Sequence, residues 1–273
     1  MRVTRLTLAP LVAVSVIFIC EGDARSQQPN APPLALAGAR ALRLSVIDLP
    51  AAATEAIEPQ ASLWDQIPDT PLLLNRTPRL YQTEPTDQPA PPSAEARAVR
   101  TSSSSIVVRI SWADSSLDAP RAPEARQGTA GVPDLLYKQP TGATSSFSDA
   151  AAIMLPEKWT GPAFPSLVMG DEKSPALLYQ WTASRGAQVV RASGRSTTAR
   201  LDRSFKAKAV HDEGRWSVTF ELPNPGIEAG YPIAFAVWDG QHDDRDGQKF
   251  FSIWYVLVPS PLPSGTEPGA NTR

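Results

Sequence analysis

Cysteine, net charge and helical periodicity are all scarce in this 273-residue chain. Its single cysteine, Cys20, lies in an N-terminal apolar run, so the chain beyond that run has no thiol for a disulfide, a thiolate zinc site or an iron–sulfur cluster. The 26 basic and 28 acidic residues nearly cancel, which disfavours nucleic acid and anionic membranes as partners. No stretch of a dozen residues has apolar residues at helical spacing, and 28 prolines oppose long helices. Stability must therefore come from a packed, largely non-helical core.

The first 26 residues match the pattern of an export signal. Two arginines precede an almost wholly apolar stretch, residues 6–20, which is too short to span a bilayer comfortably. Small side chains at Ala24 and Ser26 predict cleavage after residue 26, and there is no twin-arginine pair. The sequence thus predicts a periplasmic protein, exported by the general secretory route, with no membrane span after cleavage. An uncleaved anchor is the alternative interpretation.

Composition divides the exported chain into three parts. Residues 27–100 are rich in alanine, proline and threonine and predict an irregular, Pro-rich N-terminal arm. An apolar segment within it, residues 63–81, is expected to dock on the main domain. Residues 101–259 predict that domain, and residues 260–273 predict a disordered tail.

The central part has the period of two that is typical of strands. Apolar and polar residues alternate over 106–112 and over 216–222, which predicts strands with one buried face. Residues 176–181, 233–238 and 250–258 are apolar on both faces, as in central strands covered on each side. We therefore predict an all-β fold, an antiparallel β-sandwich of roughly eight to ten strands with long loops.

Hydrolase, phosphate-loop and dinucleotide motifs are missing from the sequence. His211 and His242 have no second histidine or cysteine at metal-ligand spacing, and both are expected to be exposed. The acidic loop 239–247 lacks the glycine and glutamate positions of a calcium-binding loop, and its acidic residues favour a solvated hairpin tip.

Seven short phrases in a fixed order carry the strongest functional signal. They are 111–114 (SWAD), 147–156 (FSDAAAIMLP), 169–171 (MGD), 179–181 (YQW), 214–220 (GRWSVTF), 234–240 (AFAVWDG) and 247–254 (GQKFFSIW). In this order they resemble the haem b-binding gamma subunit of the family that includes ethylbenzene dehydrogenase, dimethylsulfide dehydrogenase, selenate reductase and chlorate reductase. The resemblance extends over roughly residues 63–259.

The resemblance implies one non-covalent b haem held between a methionine and a lysine. The lysine corresponds to Lys249, and the methionine to Met169 or Met154. The implied partners are an iron–sulfur subunit and the molybdenum catalytic subunit that it serves. The haem would pass electrons between the iron–sulfur subunit and a soluble carrier such as a c-type cytochrome.

The residues themselves agree with a haem that is not attached through cysteine. Such a haem needs axial donors from His, Met, Lys or Tyr in a dry apolar slot. Lys249 is one of only six lysines and stands between a Gly-containing turn and an apolar strand. Met169 is favoured over Met154 because Gly170 permits a close approach, whereas the apolar neighbours of Met154 favour a core role.

We therefore predict a non-catalytic electron-transfer subunit of a molybdenum-containing oxidoreductase complex. The alternative is a secreted carbohydrate-binding β-sandwich module without haem, in which exposed tryptophans stack on sugar rings.

Overall fold

The described part of the chain forms fourteen β-strands in the computed structural model of the protein. The structure describes residues 42–49, 57–77, 89–102, 105–120, 147–161, 163–194, 197–226 and 230–261. The predicted export signal (1–26) and the tail beyond residue 261 lie outside these ranges. The strands are β1 (Leu42–Asp48), β2 (Thr70–Pro71), β3 (Leu74–Arg76), β4 (Ala94–Ser102), β5 (Ser105–Ala113), β6 (Ala150–Pro156), β7 (Ala176–Thr182), β8 (Gly186–Ala192), β9 (Thr198–Leu201), β10 (Lys206–Asp212), β11 (Arg215–Pro223), β12 (Tyr231–Trp238), β13 (Phe250–Ser252) and β14 (Tyr255–Ser260).

The strands form two sheets that share one strand. The first sheet has the order β10-β11-β5-β4-β1-β14, and the second has the order β12-β6-β7-β8-β9. Strand β12 belongs to both, because residues 231–233 pair with β14 whereas residues 234–238 pair with β6. On its other side β12 pairs with β13, which in turn pairs with β3. A strand that changes sheet in this way makes a corner of a sandwich.

One apolar core lies between the two sheets. Alternate residues of β5 and β11, among them Ile110 and Phe220, face alternate residues of β6 and β12, among them Ile153 and Phe235. All of these side chains are buried. The predicted all-β sandwich is therefore confirmed. The number of strands exceeds the expected eight to ten because several, such as β2 and β13, are only two or three residues long.

Three details of the predicted fold are wrong. Pairing is not purely antiparallel, since β1 lies parallel to both β4 and β14. The apolar run 250–258 is not one strand: β13 pairs in the second sheet and β14 in the first, with Ile253 and Trp254 at the break. The predicted tail begins one residue early, because β14 ends at Ser260.

The predicted boundary at residue 100 also differs from the structure, because it falls within β4. Both β1 and β4 are interior strands of the first sheet, whereas the sequence predicts an irregular arm over all of β1 and most of β4. The apolar segment lies between β1 and β4 in the sequence. It places Trp64 against Val99 and Val107, on the side of the first sheet that faces away from the core. The Trp64 indole N–H also donates a hydrogen bond to the carbonyl of Glu58 at 2.9 Å. Much of the predicted arm is thus part of the sandwich.

Helical structure is minor in the described ranges: they contain no α-helix, and short 3-10 turns such as Ser62–Gln66 are the helical elements there. No helix in the described part of the chain has the length and apolarity needed to cross a membrane.

Candidate functional site

The second sheet has an apolar face on the side away from the core, which we call the outer face. It follows from the period of two: Ala151, Ile153 and Leu155 of β6 point into the core, so the residues between them point outward. The outer face carries three residues of β6 and three of β12 in register, namely Ala150 opposite Trp238, Ala152 opposite Ala236 and Met154 opposite Ala234.

Small side chains make the middle of the outer face flat. Four of its six positions on β6 and β12 are alanine, so the sheet backbone lies close to any group that rests on it. Larger side chains stand at both ends. About 13 Å separates the ends, because Trp238 is four residue steps along the extended strand from Ala234.

Both candidate methionines lie at the same end of the outer face. Met154 is buried in a cluster that includes Leu178 and Trp254, and Met169 packs against that cluster while remaining partly exposed. The structure thus places both methionines at one end of the outer face, and their position does not distinguish which of them is the ligand. Met169 has a φ of 72°, an uncommon conformation for a side chain of this size.

The role predicted for Gly170 is different in the structure. A Cβ at this position would lie 2.7 Å from the carbonyl oxygen of Ser174 and 3.0 Å from the amide nitrogen of Ala176. The space beside Gly170, which also has a positive φ of 71°, is therefore filled by the protein's own backbone. The glycine permits the tight turn that presents Met169, and this turn is not an opening for a cofactor to approach the backbone.

Aromatic contacts fix the loop that carries Met169. The indole N–H of Trp254 donates a hydrogen bond to the carbonyl of Pro165 at 2.9 Å. Phe164 stacks on Trp254 at 6.3 Å between ring centroids, and Trp159 stacks on Phe164 at 5.6 Å. The break between β13 and β14 places Trp254 here, because it turns this side chain onto the outer face.

Lys249 lies at the opposite end of the outer face. It immediately precedes β13, and its amine is 5.2 Å from the centre of the Trp238 ring and 3.4 Å from the carbonyl oxygen of Asp246. The Trp238 indole N–H donates to the same carbonyl at 3.3 Å. The lysine is partly exposed. Trp238 packs in a cluster with three of the outer-face alanines, and Phe251 packs against this cluster. The ammonium group is thus held over the Trp238 ring.

Strand β3 clamps the loop that carries Lys249. The backbone N–H and hydroxyl of Thr77 both donate to the carbonyl of Lys249, at 2.9 and 3.1 Å. Arg76 makes a bidentate ion pair with Asp244 at 2.9 and 2.5 Å, and its guanidinium lies 4.6 Å from the centre of the Phe250 ring. The residues of this clamp are distant in sequence from Lys249, and no local pattern marked them.

The acidic loop is only in part the solvated tip that the sequence favours: Asp243 and Asp246 are exposed, but Asp244 is not. Asp244 is 1% exposed, and burial raises the pKa of its carboxyl group even though Arg76 acts in the opposite direction. Of the two histidines, His242 is exposed as expected, whereas His211 is partly buried. His242 Nδ1 lies 2.6 Å from a carboxylate oxygen of Asp239, and His211 Nε2 lies 2.9 Å from the carbonyl oxygen of Asp114.

The outer face could hold a haem, judged by its donors and its shape. A thioether at one end and an amine at the other are two of the axial donor types that non-covalent haem uses. Between them lie the four alanines, each at most 8% exposed, because side chains of the clusters around Trp238 and Trp254 pack against them. The fold and this face therefore define a β-sandwich protein with a candidate haem-binding face.

Two curated proteins that resemble the chain have names that describe reductase subunits. Chlorate reductase subunit gamma of Ideonella dechloratans is 26% identical over 262 residues, which are 90% of this chain and 95% of that protein. A protein of Haloferax mediterranei, whose provisional name is respiratory nitrate reductase heme subunit, is 28% identical over 170 residues, 59% of this chain. The chain spans about half the length of the Haloferax protein, 54%. No protein-family profile and no solved structure matches the chain.

The resemblance predicted from the sequence phrases is confirmed by these relatives. The chain is similar to one reductase gamma subunit over most of its length, and the names of both relatives describe reductase subunits.

Proposed function

We propose that this chain is a haem b-binding electron-transfer subunit of a molybdenum-containing reductase or dehydrogenase complex, exported to the periplasm. The observation that carries the proposal is the placement of ligand-type residues at both ends of one alanine-lined face: Met169 or Met154 at one end, and Lys249 at the other. The names of the two relatives, a gamma subunit and a heme subunit, support the same assignment.

The haem would supply a one-electron carrier, and the chain's own residues would hold it and set its surroundings. Lys249 would bind as the neutral amine, so the site must lower the pKa of that amine by removing water and by placing it next to a metal ion. The clamp of Arg76 and Thr77 fixes the backbone from which the amine extends. Trp254 and Phe164 exclude water at the methionine end.

The proposed partners follow from the gamma-subunit assignment. An iron–sulfur subunit would exchange electrons with the haem and with a molybdenum catalytic subunit, and a soluble c-type cytochrome would be the external carrier. The chain itself would then be non-catalytic. Co-purification of this chain with iron–sulfur and molybdenum-containing subunits is the expected result when the complex is isolated from its natural source.

The carbohydrate-binding alternative has less support. Sugar stacking requires exposed aromatic faces, but six of the seven tryptophans are at most 7% exposed; the exception is Trp159. A sugar-binding module would also be colourless, whereas the haem-loaded protein would show a Soret band, and α and β bands on reduction. The pyridine haemochrome of the purified protein identifies the haem type.

Substitution of Lys249 tests the amine ligand. Lys249→Ala should change the low-spin spectrum, because the strong donor on one side of the iron is lost. Lys206→Ala is the matched control, since that lysine is 77% exposed and lies on β10 of the first sheet. Spectra of Lys249→Ala that match those of the parent protein in both oxidation states would refute the assignment.

The two methionines are separated by a near-infrared measurement. A thioether bound to ferric haem gives a weak charge-transfer band, which should disappear in Met169→Ala and persist in Met154→Ala. Because Met154 is buried, its truncation should instead reduce the free energy of unfolding by about 2 to 5 kcal/mol. The opposite spectral pattern would assign the ligand role to Met154.

A further inference from the structure

Three carboxylates meet at one end of the sandwich, beside the end of the outer face that carries Trp238 and Lys249. Asp114 directly follows β5, Asp149 directly precedes β6 and Asp239 directly follows β12. One oxygen atom of each lies within 4.8 Å of the corresponding atoms of the other two. We call these three residues the aspartate cluster. Asp149 and Asp239 are brought together because their strands pair, with Ala150 opposite Trp238.

Asp149 is fully buried and organises the loops around it. Its Oδ2 accepts hydrogen bonds from the backbone N–H of Asp118 at 2.7 Å and from the Trp216 indole N–H at 3.1 Å, and its Oδ1 accepts one from the N–H of Gly240 at 2.9 Å. Glycine is required at 240, because a Cβ there would lie 2.4 Å from the carbonyl oxygen of Phe147. All three donors are neutral, so they leave the charge of Asp149 uncompensated.

Asp114 has an oxygen atom that is buried and has no hydrogen-bond partner. Its Oδ1 accepts bonds from the N–H and the hydroxyl of Ser116, at 3.1 and 3.0 Å, but no donor in the described residues bonds to its Oδ2. The Trp112 indole N–H, itself unpaired within the same ranges, lies near this carboxylate and lowers its pKa as a weak donor, but it does not reach hydrogen-bond geometry. The Asp114 side chain is more than nine-tenths buried, so bulk water does not solvate this oxygen.

The negative charge of the cluster lacks a strong internal counter-charge. In the described ranges no lysine or arginine forms an ion pair with any of the three aspartates; the partner of Asp239 is His242, whose side chain is 44% exposed. Burial raises the pKa of Asp149 to about 6 and also raises the pKa of Asp114, and the neighbouring carboxylates add to both effects. Buried carboxylates in this arrangement require either a proton or a metal ion between them.

We propose that the aspartate cluster binds a divalent cation, with calcium as the expected ion. Calcium takes carboxylate and carbonyl oxygens in flexible geometry, which suits ligands from three separate loops. Magnesium requires a near-ideal octahedron and usually retains several waters, and zinc prefers nitrogen and sulfur ligands. The unpaired Oδ2 of Asp114 is the atom that a bound cation would satisfy.

A cation at this position would join three segments that are far apart in sequence. It would connect the loop after β5, the start of β6 and the loop after β12, and that last loop leads to the clamped segment that carries Lys249. The inference does not depend on haem binding, because none of the three aspartates belongs to the outer face.

Terbium luminescence tests the site directly, because Trp216 donates a hydrogen bond to Asp149 and so lies within energy-transfer range of a bound lanthanide. The full chain is treated with EDTA, desalted and titrated with Tb³⁺, and Ca²⁺ is then added as a competitor. We expect terbium emission on tryptophan excitation, displacement by Ca²⁺ and a higher melting temperature in Ca²⁺ than in EDTA. Mg²⁺ should compete at least tenfold less effectively.

Two variants and a control complete the test. Asp114→Asn should weaken Ca²⁺ binding at least tenfold, and Asp239→Asn, at a less buried position, provides the same test if Asp114→Asn fails to fold. Asp171→Asn is the control, because that exposed aspartate caps a turn through the N–H groups of Lys173 and Ser174. Absence of terbium emission, a Ca²⁺ effect that persists in both cluster variants, or equal weakening in the control would each overturn the proposal. In the first case the carboxylates share a proton instead.

Discussion

The ion pair between Arg76 and Asp244 should be one of the most sensitive contacts in the protein. Its geometry is bidentate, and Asp244 is almost completely buried. Replacing Arg76 with methionine leaves the carboxylate without its charged partner, and breaking a buried pair in this way costs about 3 to 5 kcal/mol of unfolding free energy. Because burial already raises the pKa of Asp244, the loss should be smaller at pH 5 than at pH 8, as the isolated carboxyl group takes up a proton.

A second ion pair provides a control with similar geometry and different burial. Arg100 binds Asp48 through two nitrogens, at 2.5 and 2.7 Å, but 56% of the Asp48 side chain is exposed. Arg100→Met should therefore cost no more than about 1 kcal/mol. Urea unfolding of both variants at both pH values measures the difference. Equal losses in the two variants would refute the reasoning that burial, and not geometry, decides the strength of the contact.

Two further predictions concern buried groups elsewhere. Trp64→Ala should cost about 3 to 5 kcal/mol of unfolding free energy, because the side chain is completely buried. Leu73→Ala, at a position that is 56% exposed, should change the unfolding free energy by less than about 0.5 kcal/mol. Similar losses in the two variants would mean that the apolar segment is not docked in solution. In EDTA, the protein should lose stability as the pH rises from about 4 to about 6. The folded state holds the Asp149 proton more tightly than the unfolded state, and raising its pKa from 3.8 to about 6 corresponds to about 3 kcal/mol. Asp149→Asn should flatten this part of the stability profile, and an unchanged slope would contradict the assignment.

The alternating and doubly apolar runs identified four strands of the central domain and none near the N-terminus. Strands β5, β7, β11 and β12 lie where the alternating or doubly apolar runs placed them. Strand β4 has the same alternation, but its apolar positions are alanines, which give a weak signal within a Pro- and Ala-rich segment. The run 250–258 was misread because no letter in it marks the point where the chain leaves one sheet for the other.

The candidate site could be predicted only in part, because its residues come from distant segments. The sequence phrases selected Lys249 and the two methionines, and the apolar neighbours of Met154 predicted a core role for it. The clamp by Arg76 and Thr77 requires β3 to lie beside β13, which no local pattern reveals. The aspartate cluster depends in the same way on three separate loops that are adjacent only in the folded protein.

The parallel pairing of β1 with β14 has a consequence for how the chain reaches this structure. Leu42 pairs with Tyr255, so two adjacent interior strands come from opposite ends of the described chain. Neither strand of this pair can take its place until the last part of the polypeptide has been synthesised. A ribosome-bound or partly translocated chain therefore lacks the strand that joins β1 to β12 and exposes the edges of both. Contacts over such sequence distances also slow folding. We expect the emerging chain to need a holding chaperone until β14 is released.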